Sequence, residues 1–112
     1  MQRGEVWQVS LPFTSGREQA GSRPAIIIQD ALYGQASPLV LLVPLTSQLT
    51  VMRFPATVLI EPAAGTGLAV QSVAMVFQAR SIDRSRLIRR LGSVSSVVLS
   101  EVLNELNKLV GR

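Results

Sequence analysis

The alternation of apolar and polar residues predicts a chain made mostly of β-strands. Residues 4–11 alternate as a strand with one buried face does, and the β-branched run 25–29 is typical of a central strand. Apolar runs predict three further strands and a short, charged strand that suits an exposed edge. These four cover residues 39–45, 56–60, 68–78 and 86–91.

The spacing of apolar residues changes near the end of the chain. Apolar side chains recur there at the interval of a helix: Val94, Val98, Val102, Leu106 and Leu109. Ser95 or Ser96 can cap the start of this helix and Gly111 can end it. The pattern therefore predicts one domain over residues 1–112, a curled or barrel-like, mainly antiparallel sheet with the helix packed against it.

Composition limits the chemistry that is open to this chain. Hydrophobic residues make up 47% and charged residues 16%, as in a globular protein. Cysteine and histidine are both absent. Thiol nucleophiles, thiolate metal sites and the commonest general acid/base are therefore excluded. We expect no metal and no cofactor, and an enzyme here must work with Arg, Lys, carboxylates, hydroxyls and amides.

The distribution of apolar residues also bears on location. No apolar run reaches the roughly 20 residues that span a bilayer, and the first residues lack the apolar core of a signal peptide. We therefore expect a cytoplasmic protein without a membrane segment.

Positive charge is concentrated in one short segment. The net charge is +4, and ten of the eleven basic residues are Arg. Residues 80–90 contain five Arg and one acid, Asp83, which gives this segment +4 and leaves the rest of the chain neutral. Guanidinium groups match phosphate oxygens in pairs, which favours an anionic partner. A solvated surface strand is the alternative interpretation.

Three polar segments could carry chemistry. In the loop 16–24, Glu18 and Arg23 can converge on one ligand, and Pro24 fixes the backbone beside them. A surface ion pair of small energetic value is the alternative. Thr46 and Ser47 end an apolar strand, where hydroxyls often only bind nearby backbone. The third segment, 78–87, begins the arginine cluster.

Together these segments resemble the MazF/PemK/Kid toxins of toxin–antitoxin pairs. The matching motifs occur in the same order and spacing: Arg3-Gly4-Glu5-Val6-Trp7, Gly16-x-Glu18-Gln19-x-Gly21-x-Arg23-Pro24, Val43-Pro44-Leu45-Thr46-Ser47 and Gln78-x-Arg80-Ser81-Ile82-Asp83. The resemblance implies a homodimeric SH3-like β-barrel with a C-terminal helix. It further implies endoribonuclease activity on single-stranded RNA at short motifs, and inhibition by a cognate MazE-like antitoxin.

The resemblance also implies roles for individual residues. Arg23 and Thr46 match the central catalytic pair of the family, and Glu18 matches a candidate general base. Kid-type toxins place catalytic roles on an Arg and an Asp just before the Gln-x-Arg motif. Met75 and Phe77 occupy those positions here, so that version of the active site is not available. Arg17 follows Gly16, whereas relatives often have a small residue or His at this position.

The residue types present support attack by the ribose 2′-OH on its own adjacent phosphate. The protein then only positions the phosphate and stabilises charge on it, which Arg23, Thr46 and Ser47 can do. Phe54 is a candidate for contact with a base, whereas Trp7 and Phe77 are expected in the core. The residues that we expect to bind the RNA are Arg17, Gln19, Ser47, Arg53, Gln78, Arg80, Arg84 and Arg86.

Two other functions remain open at this point. A toxin of the same fold could bind and poison DNA gyrase, although a gyrase-blocking surface has no need of the pair formed by Arg23 and Thr46. A non-catalytic SH3-like module that binds RNA or protein is the second alternative, and it predicts salt-dependent RNA binding without turnover.

Overall fold

The computed structural model describes residues 1–11, 21–34 and 37–112. The predicted mainly-β chain with a C-terminal helix is confirmed. The strands are β1 Glu5–Leu11, β2 Gly21–Ile27, β3 Leu39–Thr46, β4 Thr57–Ile60, β5 Ser72–Met75, β6 Arg80–Asp83 and β7 Leu87–Ser93. The helices are α1 Ala31–Gly34 and α2 Ser96–Leu109, with short 3₁₀ helices at Leu49–Arg53, Val76–Gln78 and Arg84–Arg86.

The seven strands form an antiparallel sheet that branches at β3. The strand order is β4-β5-β3-β2-β1-β7, and β6 pairs with β3 outside this path. One edge of β3 pairs with β2, while the other is divided between β6 over residues 39–42 and β5 over residues 45–46. Because one strand serves three neighbours, the sheet curls as the predicted SH3-like barrel does.

One face of the sheet forms the main hydrophobic core beneath α2. Alternate strand residues such as Val6, Ile26 and Val43 are fully buried there, since successive side chains of a strand point to opposite faces. Val102 is the fully buried residue of α2 in this cluster. The helical stripe predicted from the sequence therefore packs on the chain's own sheet.

The ends of α2 follow the predicted capping pattern. The Ser95 side-chain oxygen accepts a hydrogen bond from the backbone N–H of Val98 at 3.2 Å, which satisfies a donor left free at the helix start. Gly111 follows the helix with φ of +85°, a left-handed conformation that glycine adopts without strain. Local sequence therefore sets both limits of the helix.

A second, smaller apolar cluster lies on the other face of the sheet. Its buried members are Val9, Leu11, Ala25, Ile27, Val40, Leu42 and Ile82. Trp7 and Leu87 are half-buried and pack against this cluster. Trp7 is thus in the apolar interior only in part.

The charged strand β7 is an edge strand, as predicted, and its C-terminal end is covered by the turn that precedes β5. The Ser93 N–H donates to the carbonyl of Gly65 at 2.8 Å. A Cβ on Gly92 would overlap that same carbonyl oxygen, and a Cβ on Gly67 would overlap the carbonyl oxygen of Leu91. This close approach requires glycine at both positions.

The structure corrects several predicted boundaries. The strand expected over 68–78 is shorter: β5 is followed by a 3₁₀ turn, and β6 is a separate strand that we had not predicted. All four residues of β5 are buried, so its sequence lacks the alternation that marks strand ends. The segment 48–54, expected as a loop, contains a 3₁₀ helix.

Strand β2 also begins earlier than predicted. It includes Pro24, which stands opposite Gln8 of β1. The pairing of β2 with β3 starts only at Ala25. The first half of β2 thus has one unpaired edge, and an unpaired edge tolerates proline.

Two features are absent from the part of the chain that the structure describes. No helix in residues 1–11, 21–34 or 37–112 is long and apolar enough to cross a membrane. Within the same ranges, no three Asp or Glu side chains are grouped as a metal site would need. Arg17, Glu18 and Gln19, three of the residues singled out from the sequence, lie outside the described residues.

Candidate active site

Arg23 and Thr46 are brought together by strand register. Ala25 of β2 stands opposite Pro44 of β3. Arg23 precedes Ala25 by two residues and Thr46 follows Pro44 by two residues, just beyond this last pair. Because side chains alternate between the two faces of a strand, both residues lie on the same face of the sheet. The sheet therefore joins two residues that are 23 positions apart in the sequence.

Arg23 and Thr46 lie on the face of the sheet opposite α2. Arg23 stands opposite Val9 of β1, and Thr46 stands opposite Val73 of β5. Both valines are buried, whereas Arg23 and Thr46 are half-buried. A half-buried cationic side chain and a half-buried hydroxyl thus lie on the same face as the smaller apolar cluster.

The environment of Thr46 leaves its hydroxyl hydrogen available. Thr46 Oγ1 accepts a hydrogen bond from the backbone N–H of Gln48 at 3.2 Å. A hydroxyl that accepts one bond keeps its own hydrogen for donation. The turn that follows β3 therefore holds the Thr46 side chain while the hydroxyl can still donate to an anionic ligand.

Arg80 lies on the same face, farther along β3. It stands opposite Leu42, which belongs to the apolar cluster of that face. Leu42 precedes Thr46 by four strand residues, a distance of about 13 Å along the strand. Gln78 is half-buried at the end of the 3₁₀ turn just before β6. The face thus presents cationic or polar groups at two separate places.

The arginines that follow β6 differ in their surroundings. Arg84 Nη2 donates to the carbonyl of Ser37 at 3.1 Å, and its backbone N–H donates to Pro38 at 2.9 Å. The Arg84 side chain therefore holds the connection between α1 and β3, a role that the sequence did not reveal. Arg86 is exposed and remains able to contact an anion.

Asp83 forms the turn that presents these arginines. Its carboxylate accepts a hydrogen bond from the backbone N–H of Ser85 at 2.8 Å. Hydrogen bonds from the backbone and side chain of Ser85, together with the charge of Arg86, lower the pKa of Asp83 below its ordinary value. The single acid of the arginine-rich segment thus caps a 3₁₀ turn.

The connection between β3 and β4 is exposed beside the site. Ser47 and Arg53 are both exposed there. The Arg53 guanidinium carbon lies 5.1 Å from the centroid of the Phe54 ring. Phe54 and Phe77 form a tilted pair with ring centroids 5.9 Å apart.

The prediction that Phe77 belongs to the core is wrong. Phe77 is 38% exposed, whereas the preceding residue, Val76, is fully buried. The apolar run that contains Phe77 leaves the strand for a 3₁₀ turn at this point. A change from strand to turn breaks the two-residue alternation, and composition alone does not mark where that change occurs.

At the far end of β1, Glu5 joins Trp7 and Arg90. The Trp7 indole N–H donates to Glu5 Oε1 at 2.9 Å, and Arg90 Nε lies 3.4 Å from Glu5 Oε2. Burial raises the pKa of Glu5, but the Trp7 and Gln2 hydrogen bonds and the charges of the N-terminus and Arg90 outweigh it. The pKa of Glu5 is therefore below its ordinary value.

Nearly the whole chain matches one described family. Residues 2–110 match the family described as PemK-like, MazF-like toxin of type II toxin–antitoxin system. The match includes all seven strands and α2. It therefore contains all four motifs of the resemblance together with the chain between them.

Individual relatives support the same assignment. The chain is 34% identical over 111 residues to the Endoribonuclease PemK of Escherichia coli, covering 98% of this chain and 82% of that protein. It is 39% identical over 114 residues to the Endoribonuclease MazF9 of Mycobacterium tuberculosis, covering 97% and 94%.

Solved structures share the fold. The crystal structure of MazF from Deinococcus radiodurans has a TM-score of 0.81 at 31% identity and covers 100% of this chain and 97% of that one. A MazE–MazF crystal structure from the same organism has a TM-score of 0.77 at 28% identity and covers 99% and 96%.

Proposed function

This chain belongs to the PemK-like, MazF-like toxins of type II toxin–antitoxin systems, and we propose that it acts as a metal-independent endoribonuclease that cleaves single-stranded RNA at short sequence motifs. The observation that carries the proposal is that Arg23 of β2 and Thr46 of β3 lie on the same face of the sheet, each two residues beyond the last paired residues of these strands. Curated relatives that cover most of the chain are named endoribonucleases, which gives no support to gyrase poisoning.

In the proposed reaction the nucleophile belongs to the substrate. The ribose 2′-oxygen attacks the adjacent phosphorus, the bond from phosphorus to the 5′-oxygen of the next nucleotide breaks, and that oxygen takes a proton from solvent water as it leaves. The products are a 2′,3′-cyclic phosphate and a 5′-OH end, and DNA is not cleaved because it lacks the 2′-OH. No bound water has to be activated, so the reaction requires no metal ion.

The protein supplies charge stabilisation at the phosphate. We assign to Arg23 the non-bridging oxygens, on which negative charge builds as the fifth bond to phosphorus forms. Thr46 donates a second hydrogen bond to the same phosphate, and Ser47 assists it. Glu18 is the proposed acceptor of the 2′-OH proton, and a positive charge next to a carboxylate weakens it as a base.

The remaining basic and polar side chains are proposed to hold the strand. Arg80 is about 13 Å from the Thr46 row along β3, which fits a phosphate other than the scissile one. Arg53 and Arg86, both exposed, would add salt-sensitive phosphate contacts. The other proposed RNA contacts are Arg17, Gln19, Gln78 and Arg84.

The proposal extends to partners and setting. Structures similar to this chain include MazE–MazF complexes from Deinococcus radiodurans, so we propose a MazE-like antitoxin as the inhibitor. We further propose that residues 1–112 form one toxin domain, that two copies form a homodimer, and that the toxin works in the cytoplasm. A short upstream reading frame for an acidic protein would support the antitoxin.

The test uses purified protein and a long single-stranded RNA in excess EDTA. We expect cleavage to continue, the new ends to carry 2′,3′-cyclic phosphate and 5′-OH, and DNA of the same sequence to remain intact. Strict dependence on added metal would overturn the mechanism. Inhibition of a topoisomerase without any RNA cleavage would replace the proposed function with gyrase poisoning.

A further inference from the structure

The exposed aromatic pair next to the site is not used by the proposed cleavage chemistry. Phe54 is 46% exposed and Phe77 is 38% exposed. Their rings are 5.9 Å apart between centroids and tilted by 57°. The Arg53 guanidinium lies over the Phe54 ring. We call Arg53, Phe54 and Phe77 the aromatic platform.

Backbone contacts fix the two segments that carry the platform. The Phe77 N–H donates to the carbonyl of Ala56 at 3.3 Å. Thr57 Oγ1 donates to the carbonyl of Phe54 at 3.0 Å. Hydrogen bonds therefore hold both segments in place, so little ordering of them is needed when a ligand binds.

Strand pairing also limits the distance between the platform and Thr46. Thr46 stands opposite Val73 on β5, and Phe77 follows Val73 by four residues. A strand rises by at most about 3.4 Å per residue. Phe77 therefore lies no more than about 14 Å from Val73, which stands beside Thr46. Neighbouring nucleotides of a strand bound at Thr46 can reach this distance.

We propose that the aromatic platform is a subsite on which one unpaired base of the RNA stacks, and that it selects the base at one position of the cleavage motif. This inference rests on the proposed ribonuclease function. Single-stranded nucleic acids are held by aromatic side chains on which bases stack, with cationic side chains along the backbone. The platform supplies both features, because Arg53 stands beside the exposed rings.

The identity of residue 77 sharpens this assignment. The phenyl ring of Phe77 offers an apolar π surface and no hydrogen-bonding group. The selection at this subsite therefore depends on stacking, and it favours purines because their fused rings cover more of the platform.

The first experiment maps cleavage in a pool of random-sequence single-stranded RNA. The variants are Phe54→Ala, Phe77→Leu and the conservative Phe54→Tyr, with Tyr33→Ala as a control that removes a 71% exposed aromatic ring from α1. Sequencing of the new 5′-OH ends gives the base preference at each motif position. Thermal unfolding of each variant verifies that it is folded.

We expect Phe54→Ala to lower cleavage at preferred sites by about tenfold or more, the value of one lost base stack. The preference for a purine should relax at one position only. Tyr33→Ala should keep the wild-type rate and motif, and Phe54→Tyr, which keeps the aromatic ring, should retain the preference for a purine. An unchanged motif and rate in folded Phe54→Ala would overturn the inference while leaving the ribonuclease function in place.

A second measurement separates base stacking from catalysis. Single-stranded DNA oligonucleotides that carry 2-aminopurine at successive positions cannot be cleaved by this mechanism, and stacking quenches their fluorescence. We expect quenching at one position by the wild type, and its loss in Phe54→Ala and Phe77→Leu. Equal quenching by wild type and both variants would refute the platform. If the wild type cleaves no RNA, the proposed function fails independently of this result.

Discussion

The two faces of the sheet are built from the same strands but differ in what they do. In β2, Ile26 points into the core under α2 and is fully buried. Three residues earlier, Arg23 points to the opposite face and is half-buried. A shift of one residue in register would exchange these faces. One strand therefore carries a fully buried core residue on one face and a half-buried cationic residue on the other.

The comparison also shows how a small protein exposes cationic groups beside a core. The face under α2 contains an apolar cluster to which Val6, Val43 and Val102 belong. The other face has a smaller apolar cluster. Arg23 stands beside Val9 of this cluster, and Arg80 stands beside its Leu42. The half-buried polar residues at the margins of the second face therefore contribute less apolar burial than the residues of either cluster.

The strongest test of this contrast is a cavity in the covered face. We expect Ile26→Ala to lower the free energy of unfolding by about 2–5 kcal/mol, because the buried side chain loses its contacts and leaves a void. Leu59→Ala, which truncates a 39% exposed residue of β4, is the matched control and should cost clearly less. Chemical denaturation measures both. Equal losses would contradict the assignment of the core face.

The reverse test removes charge from the open face. Arg23→Ala should reduce RNA cleavage by about a hundredfold or more, since one donor to the developing charge is lost, and thermal unfolding should show that the variant remains folded. Arg112→Ala removes an exposed charge at the chain end and should keep full activity. A folded Arg23→Ala protein with wild-type cleavage would contradict the proposed mechanism.

The smallest expected effect on stability concerns Glu5 of β1, which contacts Arg90 of the edge strand β7. Its pKa is lowered in the folded protein, so its contribution to stability is present above the ordinary pKa of about 4.5 and is lost as the pH falls through the folded value. Because Arg90 is half exposed, we expect less than about 1 kcal/mol.

Urea unfolding at pH 7 and pH 3.5 measures this contribution. The wild type should lose more stability between these values than Glu5→Gln, which has no acid to titrate at that position. Glu61→Gln, at an exposed acid, provides the comparison for a carboxylate outside the cluster. An identical pH dependence of wild type and Glu5→Gln would show that the contacts to Trp7 and Arg90 do not stabilise the fold.

Local patterns in the sequence predicted much of the fold. The alternation of β1, the β-branched run of β2 and the helical stripe with its Ser95 cap all appear in the structure. These features depend on neighbours a few residues apart, which a sequence displays directly. The end of β5 was missed because the burial of all four of its residues removes the alternating pattern. Strand β6 was missed because only one of its four residues, Ile82, is apolar and buried.

The sequence also pointed to Arg23 and Thr46, but only through the order and spacing of motifs that resemble a known family. Their position in one row of the sheet follows from the pairing of β2 with β3. The role of Arg84 at the carbonyl of Ser37 spans 47 positions of the chain, and no local pattern reveals a contact of that kind.

The sequence by itself determined the residue types available for chemistry, the strand and helix periods, and the caps of α2, because each depends on composition or on near neighbours. Only the tertiary structure decided which face each strand residue occupies, that Phe77 is exposed beside Phe54, and that Gly92 must lack a side chain beneath Gly65. Those outcomes depend on contacts between segments that are distant in the sequence, and such contacts exist only once the chain has folded.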